Sequence, residues 1–196
     1  MLEAESHSEK SARYLAVIRE RADAMRRMTE ELLRYSVVAS TADELRMEPV
    51  CLNDVLEQSL AGMYGVFTAR GLVPDIRMPE ERIVRTLDAA ALRRVFDNIL
   101  NNAAKYSGGD LAVELTADGT ATFSNRADGL TRVDAERLFD RFYTVETAGG
   151  STGLGLSIAR LLTEKMGGHI SADSQRGRLY VRAAFPAESP SPSPSP

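Results

Sequence analysis

The sequence LRRVFDNILNNAAKYS, residues 92–107, is the most informative stretch of this chain. Its apolar residues recur at intervals of three and four, which predicts a helix with one buried face. Asp88 stands where a helix N-cap belongs, and the pair Gly108-Gly109 is expected to end the helix. The apolar positions are Leu92, Val95, Phe96, Ile99, Leu100 and Ala103.

A second, polar face of the same helix carries residues that can bind a ligand. Asn98 and Asn102 are four positions apart, so both amides project from one side, and Lys105 and Tyr106 follow within a turn. Asparagine is a poor helix former, which makes this spacing unusual for a bland helix. Amide oxygens suit magnesium, lysine suits phosphate, and tyrosine offers a ring for a base. These residues alone leave two interpretations open, a solvated polar face and a magnesium–nucleotide site.

The segments around this helix predict an α+β fold, a two-layer sandwich of one mostly antiparallel sheet with helices on one face. Residues 111–115 and 120–124 alternate around Asp118-Gly119, which is a strong hairpin signal. Further strands are predicted at 47–51, 72–78, 83–87, 170–173 and 179–185, and further helices at 134–142, at 155–166 and from a cap at Asn53 or Asp54 to Ala69.

The chain is expected to divide into three parts. Residues 8–40 contain neither Gly nor Pro and predict one long helix, whose narrow apolar seam is typical of a coiled coil or helical hairpin. A helix packed on its own domain is the alternative. The parts are this helix within residues 1–43, a globular domain over 44–187 and a Ser-Pro tail over 188–196 that is expected to be disordered. The seam consists of Leu15, Ile18, Ala22, Met25 and Leu32, with Thr29 at the intervening position.

The composition excludes several classes of protein. The formal net charge of −4 over 196 residues argues against bulk nucleic-acid binding. Because no apolar run approaches the roughly 18 residues of a membrane helix, a cytoplasmic location without membrane contact is expected for this part of the protein. Cys51 is the sole cysteine, so neither a disulfide nor a cysteine metal site is expected. His7 and His169 are too far apart to suggest a metal centre, and His169 is expected to be a plain strand residue.

Two loop segments suggest phosphate or base contacts. The sequence GGSTGLGLSIAR, residues 149–160, places several glycines at a helix start, where backbone amides can meet phosphate. A flexible loop is the plainer interpretation. The segment is not a P-loop, because no Lys-Ser/Thr follows the glycines, and Ile158 stands where a dinucleotide fingerprint needs its third Gly. The sequence NRADGL, residues 125–130, is predicted to be a turn after the hairpin.

In this order and spacing, the segments over about residues 46–186 resemble the catalytic, ATP-binding domain of bacterial two-component sensor histidine kinases, members of the gyrase/chaperone/histidine-kinase ATPase superfamily. Residues 98–107 resemble the N box of that family, 138–143 its F box, and 151–156 its second glycine box on the ATP lid. The long N-terminal helix is similar to the second helix of the dimerisation and phosphotransfer hairpin. The nucleotide-binding residues that the resemblance implies are Asn98, Asn102, Lys105, Tyr106, Asn125, Ala127, Gly129, Leu130, Phe142, Thr152, Gly153, Leu154, Gly155 and Leu156.

The first glycine box departs from the family's Asp-x-Gly-x-Gly pattern. Asn125, Ala127 and Gly129 occupy its places, and Ser151 replaces a Gly in the second box. The family's Asp accepts a hydrogen bond from the adenine amino group. An amide can do the same or, when flipped, donate to the guanine carbonyl, and the sequence leaves both orientations open. Loss of the charge is expected to weaken ATP binding modestly and to narrow the preference for ATP over GTP by roughly tenfold or more.

The phosphoacceptor histidine of the family is expected to be missing. The family's histidine precedes an acidic residue and, soon after, a Pro, whereas Ser8 follows His7 and the first proline is Pro49. No catalytic residue is therefore assigned within this chain. It is expected to be a kinase truncated before that histidine and unable to phosphorylate itself.

The resemblance implies a protein histidine kinase that transfers the γ-phosphoryl group of ATP in two-component signalling. Asn102 would bind Mg²⁺ and Lys105 would meet the phosphates. A response regulator is the implied partner, and the N-terminal helix would form a homodimer in the intact protein, which a sensor region could anchor to a membrane. The alternatives are a nucleotide-responsive interaction module without turnover, and an ATPase or Ser/Thr kinase on the same fold.

Overall fold

The computed structural model describes residues 12–36, apart from 24, 27, 28, 31, 34 and 35, together with residues 45–143 and 153–187. The described residues of the first range are helical and are called α1. The rest of the helix predicted over 8–40 lies outside the described residues. The loop predicted at 145–152 and the Ser-Pro tail at 188–196 also lie outside them.

Beyond α1, the described part of the chain contains seven strands and four helices. In chain order they are β1 (Glu48–Cys51), α2 (Leu52–Ala69), β2 (Asp75–Arg77), β3 (Val84–Leu87), α3 (Ala89–Tyr106), β4 (Leu111–Leu115), β5 (Thr120–Arg126), α4 (Arg132–Arg137), α5 (Gly155–Lys165), β6 (His169–Gln175) and β7 (Arg178–Ala184).

The strands form two sheets. β1 and β3 pair in an antiparallel two-stranded sheet, and the larger sheet has the order β2-β4-β5-β7-β6. In the larger sheet the β2–β4 pair is parallel and the other pairs are antiparallel. The mostly antiparallel sheet that the sequence predicted is therefore confirmed.

The core lies on one face of the larger sheet. Along β4 and β7, buried side chains alternate with partly exposed ones, as expected for a sheet with one covered face. The rings of Phe123 on β5 and Phe96 on α3 approach to 5.8 Å between centroids. Helix α3 packs against α2 on one side and α5 on the other. The architecture is the predicted two-layer α+β sandwich.

Helix α3 is capped at both ends by side chains. The Asp88 carboxylate accepts a hydrogen bond from the Ala91 N–H at 2.8 Å, as the sequence predicted. At the other end, Arg70 Nη1 donates to the carbonyl oxygens of Ala104 and Lys105 at 2.9 and 3.1 Å, which satisfies two carbonyls of the last turn. All six predicted positions of the apolar stripe are buried.

The start of α2 differs from the prediction. The proposed caps Asn53 and Asp54 are wrong, because the helix begins at Leu52 and its N-cap residue, Cys51, makes no side-chain cap bond. Asn53 is buried and holds the loop between β2 and β3 instead. Its Oδ1 accepts from the Ile83 N–H at 2.9 Å, so the side chain serves tertiary structure rather than the helix end.

Two predicted elements are too long. The helix predicted over residues 134–142 is α4, which begins two residues earlier and ends at Arg137, and Phe142 has a positive φ of 63° that no α-helix contains. The strand predicted over 72–78 is reduced to β2. β2 and β3 flank the predicted Pro-Glu-Glu turn but belong to different sheets.

The apolar seam of α1 faces solvent in the described residues. Leu15 is 56% exposed and Ile18 is 61% exposed, and Met25 and Leu32 are similarly open. Such a row of apolar side chains needs a partner surface to be stable in water. None of the described helices combines the length and the hydropathy that a membrane span requires.

Candidate functional site

The polar face of α3 meets the first turn of α5. The Asn98 Nδ2 is buried and has no hydrogen-bond partner among the described residues. A Cβ built on Gly155 would lie 3.7 Å from Asn98 Oδ1, so the amide occupies the gap between the two helices. A buried amide nitrogen without an acceptor costs roughly 1–3 kcal/mol, which marks this gap as a place that gains from a ligand.

One turn further along α3, Asn102 is half-buried, and its amide makes no hydrogen bond to a described residue. The neighbouring Asn101 points to the exposed side and donates to the Asp97 carbonyl oxygen at 2.7 Å. In the last turn, Lys105 Nζ lies 5.2 Å from the centroid of the Tyr106 ring. This end of α3 therefore carries an uncommitted amide and a cation close together.

Asn125 lies in β5 rather than in the turn that the sequence predicted. Its partners in the sheet register are Leu111 and Leu179, which are buried on the side of the helices. The residue is 2% exposed, and its Nδ2 donates to the carbonyl oxygen of Arg126 at 3.0 Å. The amide of Asn125 therefore sits in the layer between the sheet and the helices.

Asn125 is level with the turn of α3 that contains Asn102. The ring pair described above joins α3 and β5 two residues before Asn125. A Cβ built on Gly108, just beyond α3, would lie 3.6 Å from the Cβ of Arg126 at the end of β5. Helix α3 and strand β5 therefore run in the same direction. Two residues along β5 cover about the same distance as four residues along α3, so the step from Phe123 to Asn125 matches one turn of α3 beyond Phe96.

The turn at residues 127–130 is attached to the β6–β7 hairpin. The Ala127 N–H donates to the carbonyl oxygen of Gly177 at 2.9 Å, and Ser174 Oγ donates to the carbonyl oxygen of Leu130 at 2.7 Å. Gly129 has φ +90°, and a Cβ on it would meet nothing within 4 Å. The turn is thus fixed at both ends, while Gly129 faces open space.

The backbones of Tyr143 and Gly153 are in contact. Gly153 has φ +69°, and a Cβ on it would lie 2.6 Å from the carbonyl oxygen of Tyr143. The described residues on either side of 144–152 therefore pack against each other. The neighbouring predicted site residues differ in exposure, because Phe142 is 50% exposed whereas Leu154 and Leu156 are buried in the core.

A cluster around Asp134, which was not predicted from the sequence, holds this junction. Asp134 and Thr131 form a capping box at the start of α4, and the Tyr143 hydroxyl donates to Asp134 Oδ1 at 2.7 Å. The Arg137 guanidinium lies 4.4 Å from the centroid of the Tyr143 ring. The hydrogen bond from the Thr131 hydroxyl lowers the pKa of Asp134, and the bond from the Tyr143 hydroxyl lowers it further. The bond between Tyr143 and Asp134 also raises the pKa of the Tyr143 phenol. The Thr-x-x-Asp spacing was a visible signal for the cap.

A second group that was not predicted, around Asp110, holds the end of β5. The Asp110 carboxylate accepts from the Arg126 N–H at 2.8 Å and forms an ion pair with Arg178. Burial acts most strongly on this carboxyl and favours a higher pKa. The bonds from Arg126 and Arg178 together outweigh burial, so the pKa of Asp110 lies below its ordinary value. The backbone beside Asn125 is therefore fixed by charge as well as by the sheet.

Residues 87–189 match the protein family described as histidine kinase-, DNA gyrase B- and HSP90-like ATPase. The matched range is more than half of the 196-residue chain and contains every site residue discussed above. The chain belongs to this ATPase family. The resemblance to that superfamily that was inferred from the motifs is therefore confirmed.

Individual members of the ATPase family agree with this assignment. The chain is 28% identical over 186 residues to the sensor histidine kinase YcbM of Bacillus subtilis (strain 168), covering 90% of this chain and 59% of YcbM. The structure of the histidine kinase AdeS of Acinetobacter baumannii has a TM-score of 0.65 at 20% identity, covering 82% of this chain and 77% of that one, and shows a shared fold. Full-length ShkA, solved in complex with AMPPNP, has a TM-score of 0.63 at 25% identity, covering 90% of this chain and 39% of ShkA.

The residues predicted for the ATPase-family site fall into three groups in the structure. The amides of α3 and Gly155 form one group, Asn125 and the turn at 127–130 form a second, and Phe142 with Gly153 forms a third. Leu154 and Leu156 can offer only backbone atoms, and the N–H of Ala127 is already bonded. Thr152 lies outside the described residues.

The donor atoms of α3 suit a hydrated magnesium ion. Among the described residues, no group of three or more His, Cys, Asp or Glu side chains is arranged for a metal. Asn102 offers one hard oxygen ligand, which fits an ion that takes its remaining ligands from phosphates and water.

Proposed function

We propose that this chain is the ATP-binding domain of a sensor histidine kinase. In this proposal the domain transfers the γ-phosphoryl group of magnesium-bound ATP to a histidine that neither His7 nor His169 provides. A response regulator would then take the phosphoryl group, and two copies of the protein would pair through α1. The family assignment supports this proposal, as do the names of YcbM and AdeS and the AMPPNP complex of ShkA.

The observation that carries the proposal is the gap between α3 and α5. Asn98 Oδ1 lies beside Gly155 in this gap, and the Nδ2 of the same amide is buried without a partner. The first turn of α5 borders the gap, and Asn102 and Lys105 follow on α3. Donors at a helix start, an amide oxygen and a cation together suit a polyphosphate. Magnesium would neutralise phosphate charge and hold the phosphate oxygens in place.

Phosphoryl transfer requires little covalent chemistry from the residues of this domain. A histidine nitrogen forms the bond to the γ-phosphorus while the bond to the bridging oxygen breaks and ADP leaves, and a base beside the histidine removes the imidazole proton. The residues of this chain position the phosphates and offset their charge, which supplies most of the catalysis in such reactions.

Nucleotide binding is tested by comparing two neighbouring asparagines. Asn102→Ala should weaken magnesium-dependent ATP binding at least about tenfold, because it removes the proposed metal ligand. Asn101→Ala should change the affinity less than about twofold, because that amide bonds to Asp97 on the exposed side. Isothermal titration calorimetry with and without Mg²⁺ measures both. An Asn102→Ala variant that binds Mg-ATP like the parent would refute the metal assignment.

Transfer is tested with γ-labelled ATP and a separately made helix that carries a histidine followed by an acidic residue. The expected product is an acid-labile, base-stable phosphate on the helix, with no label on the chain when it is incubated alone. Acid-stable label would indicate a Ser/Thr kinase, and free phosphate without transfer would indicate an ATPase. Binding without any turnover would favour an interaction module.

A further inference from the structure

The chain contains two Asp-Gly dipeptides, Asp118-Gly119 and Asp128-Gly129, and each follows an alanine. In such a dipeptide the glycine nitrogen can attack the carboxyl carbon of the aspartate, because glycine has no side chain that shields its nitrogen. The attack requires the aspartate side chain and the peptide group after it to rotate toward each other. Hydrogen bonds that hold either group therefore slow the reaction.

The fold holds both reacting groups of Asp118-Gly119. The Asp118 carboxylate accepts from the Thr116 hydroxyl, from the Thr120 N–H at 3.1 Å and from the Thr120 hydroxyl at 3.0 Å. The Gly119 N–H donates to the carbonyl oxygen of Thr116 at 2.9 Å. A Cβ built on Gly119 would overlap the carbonyl oxygen of Phe185, so the turn is also confined by the chain after β7. Several contacts must open before this nitrogen can attack.

Asp128-Gly129 lacks these restraints. Among the residues that the structure describes, the Asp128 carboxylate has one polar partner, Arg126, whose Nε lies 3.0 Å from Oδ2. The two side chains are 71% and 64% exposed, and an ion pair so open to water contributes little. The Gly129 N–H donates to no described residue. The ends of this turn are held, but the two groups that must rotate are not.

We propose that Asp128 is a site of spontaneous isoaspartate formation and that the fold protects Asp118 from the same reaction. The Gly129 nitrogen forms a bond to Cγ of Asp128, and one carboxyl oxygen leaves as water with the amide proton and a proton from solvent. Water then opens the cyclic imide. Where it breaks the bond between the nitrogen and the main-chain carbonyl carbon of Asp128, the chain afterwards runs through the Asp128 side chain. The mass is unchanged, and the backbone is longer by one methylene group.

The added methylene group would lie in a turn of the proposed nucleotide site. The turn follows Asn125 at the end of β5, and the Ala127 N–H is bonded to Gly177 at 2.9 Å. Because both ends of the turn are attached, a longer backbone between them has to displace it. Complete conversion should therefore weaken Mg-ATP binding at least about threefold. This consequence rests on the proposed ATP site, whereas the isomerisation itself does not.

Peptide mapping of protein incubated at neutral pH compares the two dipeptides within one chain. Trypsin cleavage after Arg126 and Arg132 releases residues 127–132 and leaves Asp118 in a separate peptide. Isoaspartate is measured in each peptide by its shifted retention at unchanged mass and by labelling with an isoaspartyl methyltransferase. In the folded protein Asp128 should convert at least about tenfold faster than Asp118, because the bonds around Asp118 must open first. Equal rates would overturn the inference.

Unfolding and mutation test whether the fold causes this difference. In urea the two rates should agree within about threefold, because the same Ala-Asp-Gly sequence is then free at both places. In the folded protein, Thr116→Val with Thr120→Val removes both hydroxyl donors of Asp118 and should speed its conversion at least about threefold. The rate at Asp128 should stay the same. A difference that persists in urea, or an unchanged rate at Asp118 in the variant, would contradict protection by the fold.

Calorimetry with Mg-ATP before and after the incubation tests the consequence for binding. The parent should lose affinity as isoaspartate accumulates at position 128. Asp128→Glu should keep the affinity of its own fresh sample, because the longer side chain forms a cyclic imide far more slowly. An incubated parent that binds as tightly as fresh protein would refute the effect on the site. Absence of binding by fresh protein would refute the proposed function instead, and the peptide rates would still decide the isomerisation.

Discussion

A single carboxylate, Asp134, joins two parts of the fold that are separate in sequence. It caps α4 through Thr131 and accepts the hydroxyl of Tyr143, whose ring also lies under Arg137. Tyr143 in turn provides the carbonyl against which Gly153 packs. The contact between Tyr143 and Gly153 is therefore held to α4 by one side-chain hydrogen bond.

Removing the Tyr143 hydroxyl should loosen this junction. We expect Tyr143→Phe to lower the melting temperature and to weaken ATP binding about threefold, because the segment next to the proposed site loses its attachment to α4. Tyr64→Phe is the control, since Tyr64 is 73% exposed and has no described hydrogen bond from its hydroxyl. Thermal unfolding and calorimetry measure both effects. Equal behaviour of the two variants would show that the bond to Asp134 contributes nothing.

Site residues that lie on one helix could be predicted from the sequence, whereas residues that meet only through tertiary contacts could not. Asn98 and Asn102 were visible because a helix converts spacing in sequence into a shared face. The contact between Asp134 and Tyr143 depends on a non-helical turn, and that between Asp110 and Arg178 joins the residue before β4 to the first residue of β7. Neither has a sequence period that could reveal it.

Among the elements, α3 was predicted well and α4 poorly. The stripe of α3 is long and ends in clear caps, so local pattern and tertiary packing agree. After α4, the apolar spacing continues through Phe139 to Phe142, but only Phe139 is buried. The chain turns at Phe142, where φ is 63°, because Tyr143 must return to α4. Tertiary contacts outweigh the helical pattern there.

The junction after α4 predicts a difference between two glycines with almost equal φ angles. Gly71 has φ +65° and open space where a methyl group would be added, whereas a methyl group on Gly153 at φ +69° would overlap the Tyr143 backbone. Gly71→Ala should therefore cost about 1 kcal/mol through its backbone angle alone. Gly153→Ala should cost more and also weaken ATP binding, as denaturant unfolding and calorimetry would show. Equal losses of stability would contradict the close packing.

The open seam of α1 predicts self-association. Sedimentation should show a concentration-dependent dimer that Ile18→Glu weakens at least about tenfold, because it places a charge in the seam. Ala16→Glu adds the same charge off the seam and should leave the dimer nearly unchanged. Both residues are exposed in the structure. A parent chain that stays monomeric at all concentrations would argue against a role of α1 in pairing.

For the whole molecule, the main lines of the fold were predictable and the strand partners were not. β2 and β3 flank one turn in sequence, yet β3 joins β1 while β2 joins β4 in parallel. Local patterns show that a segment is a strand but not which edge it meets. The parallel pair also requires the crossover that passes through α3.

Three carboxylates make the stability of the whole domain dependent on pH. Hydrogen bonds lower the pKa of Asp110, Asp118 and Asp134 in the folded state. Their contribution is therefore complete above the unfolded value of about 3.9 and is lost as the pH falls through the folded values. The free energy of unfolding should be nearly constant from pH 7 to about 5 and decrease below about 4. Urea unfolding at each pH measures this free energy. The Asp110→Asn variant should lose less of it between about pH 5 and the acid range than the parent does. An equal loss in both proteins would show that Asp110 does not contribute to the pH dependence.

The central place of β7 in the larger sheet has a consequence for synthesis of the chain. β7 lies between β5 and β6 although it is the last of the described strands in chain order. A ribosome adds roughly 5–20 residues per second, so the edge of β5 that pairs with β7 stays without its hydrogen-bond partner until β7 has been synthesised. Nascent chains halted before Arg178 should remain sensitive to protease and bind chaperones, whereas chains released beyond Ala184 should become resistant. The domain is thus expected to complete its fold only when translation has almost passed it.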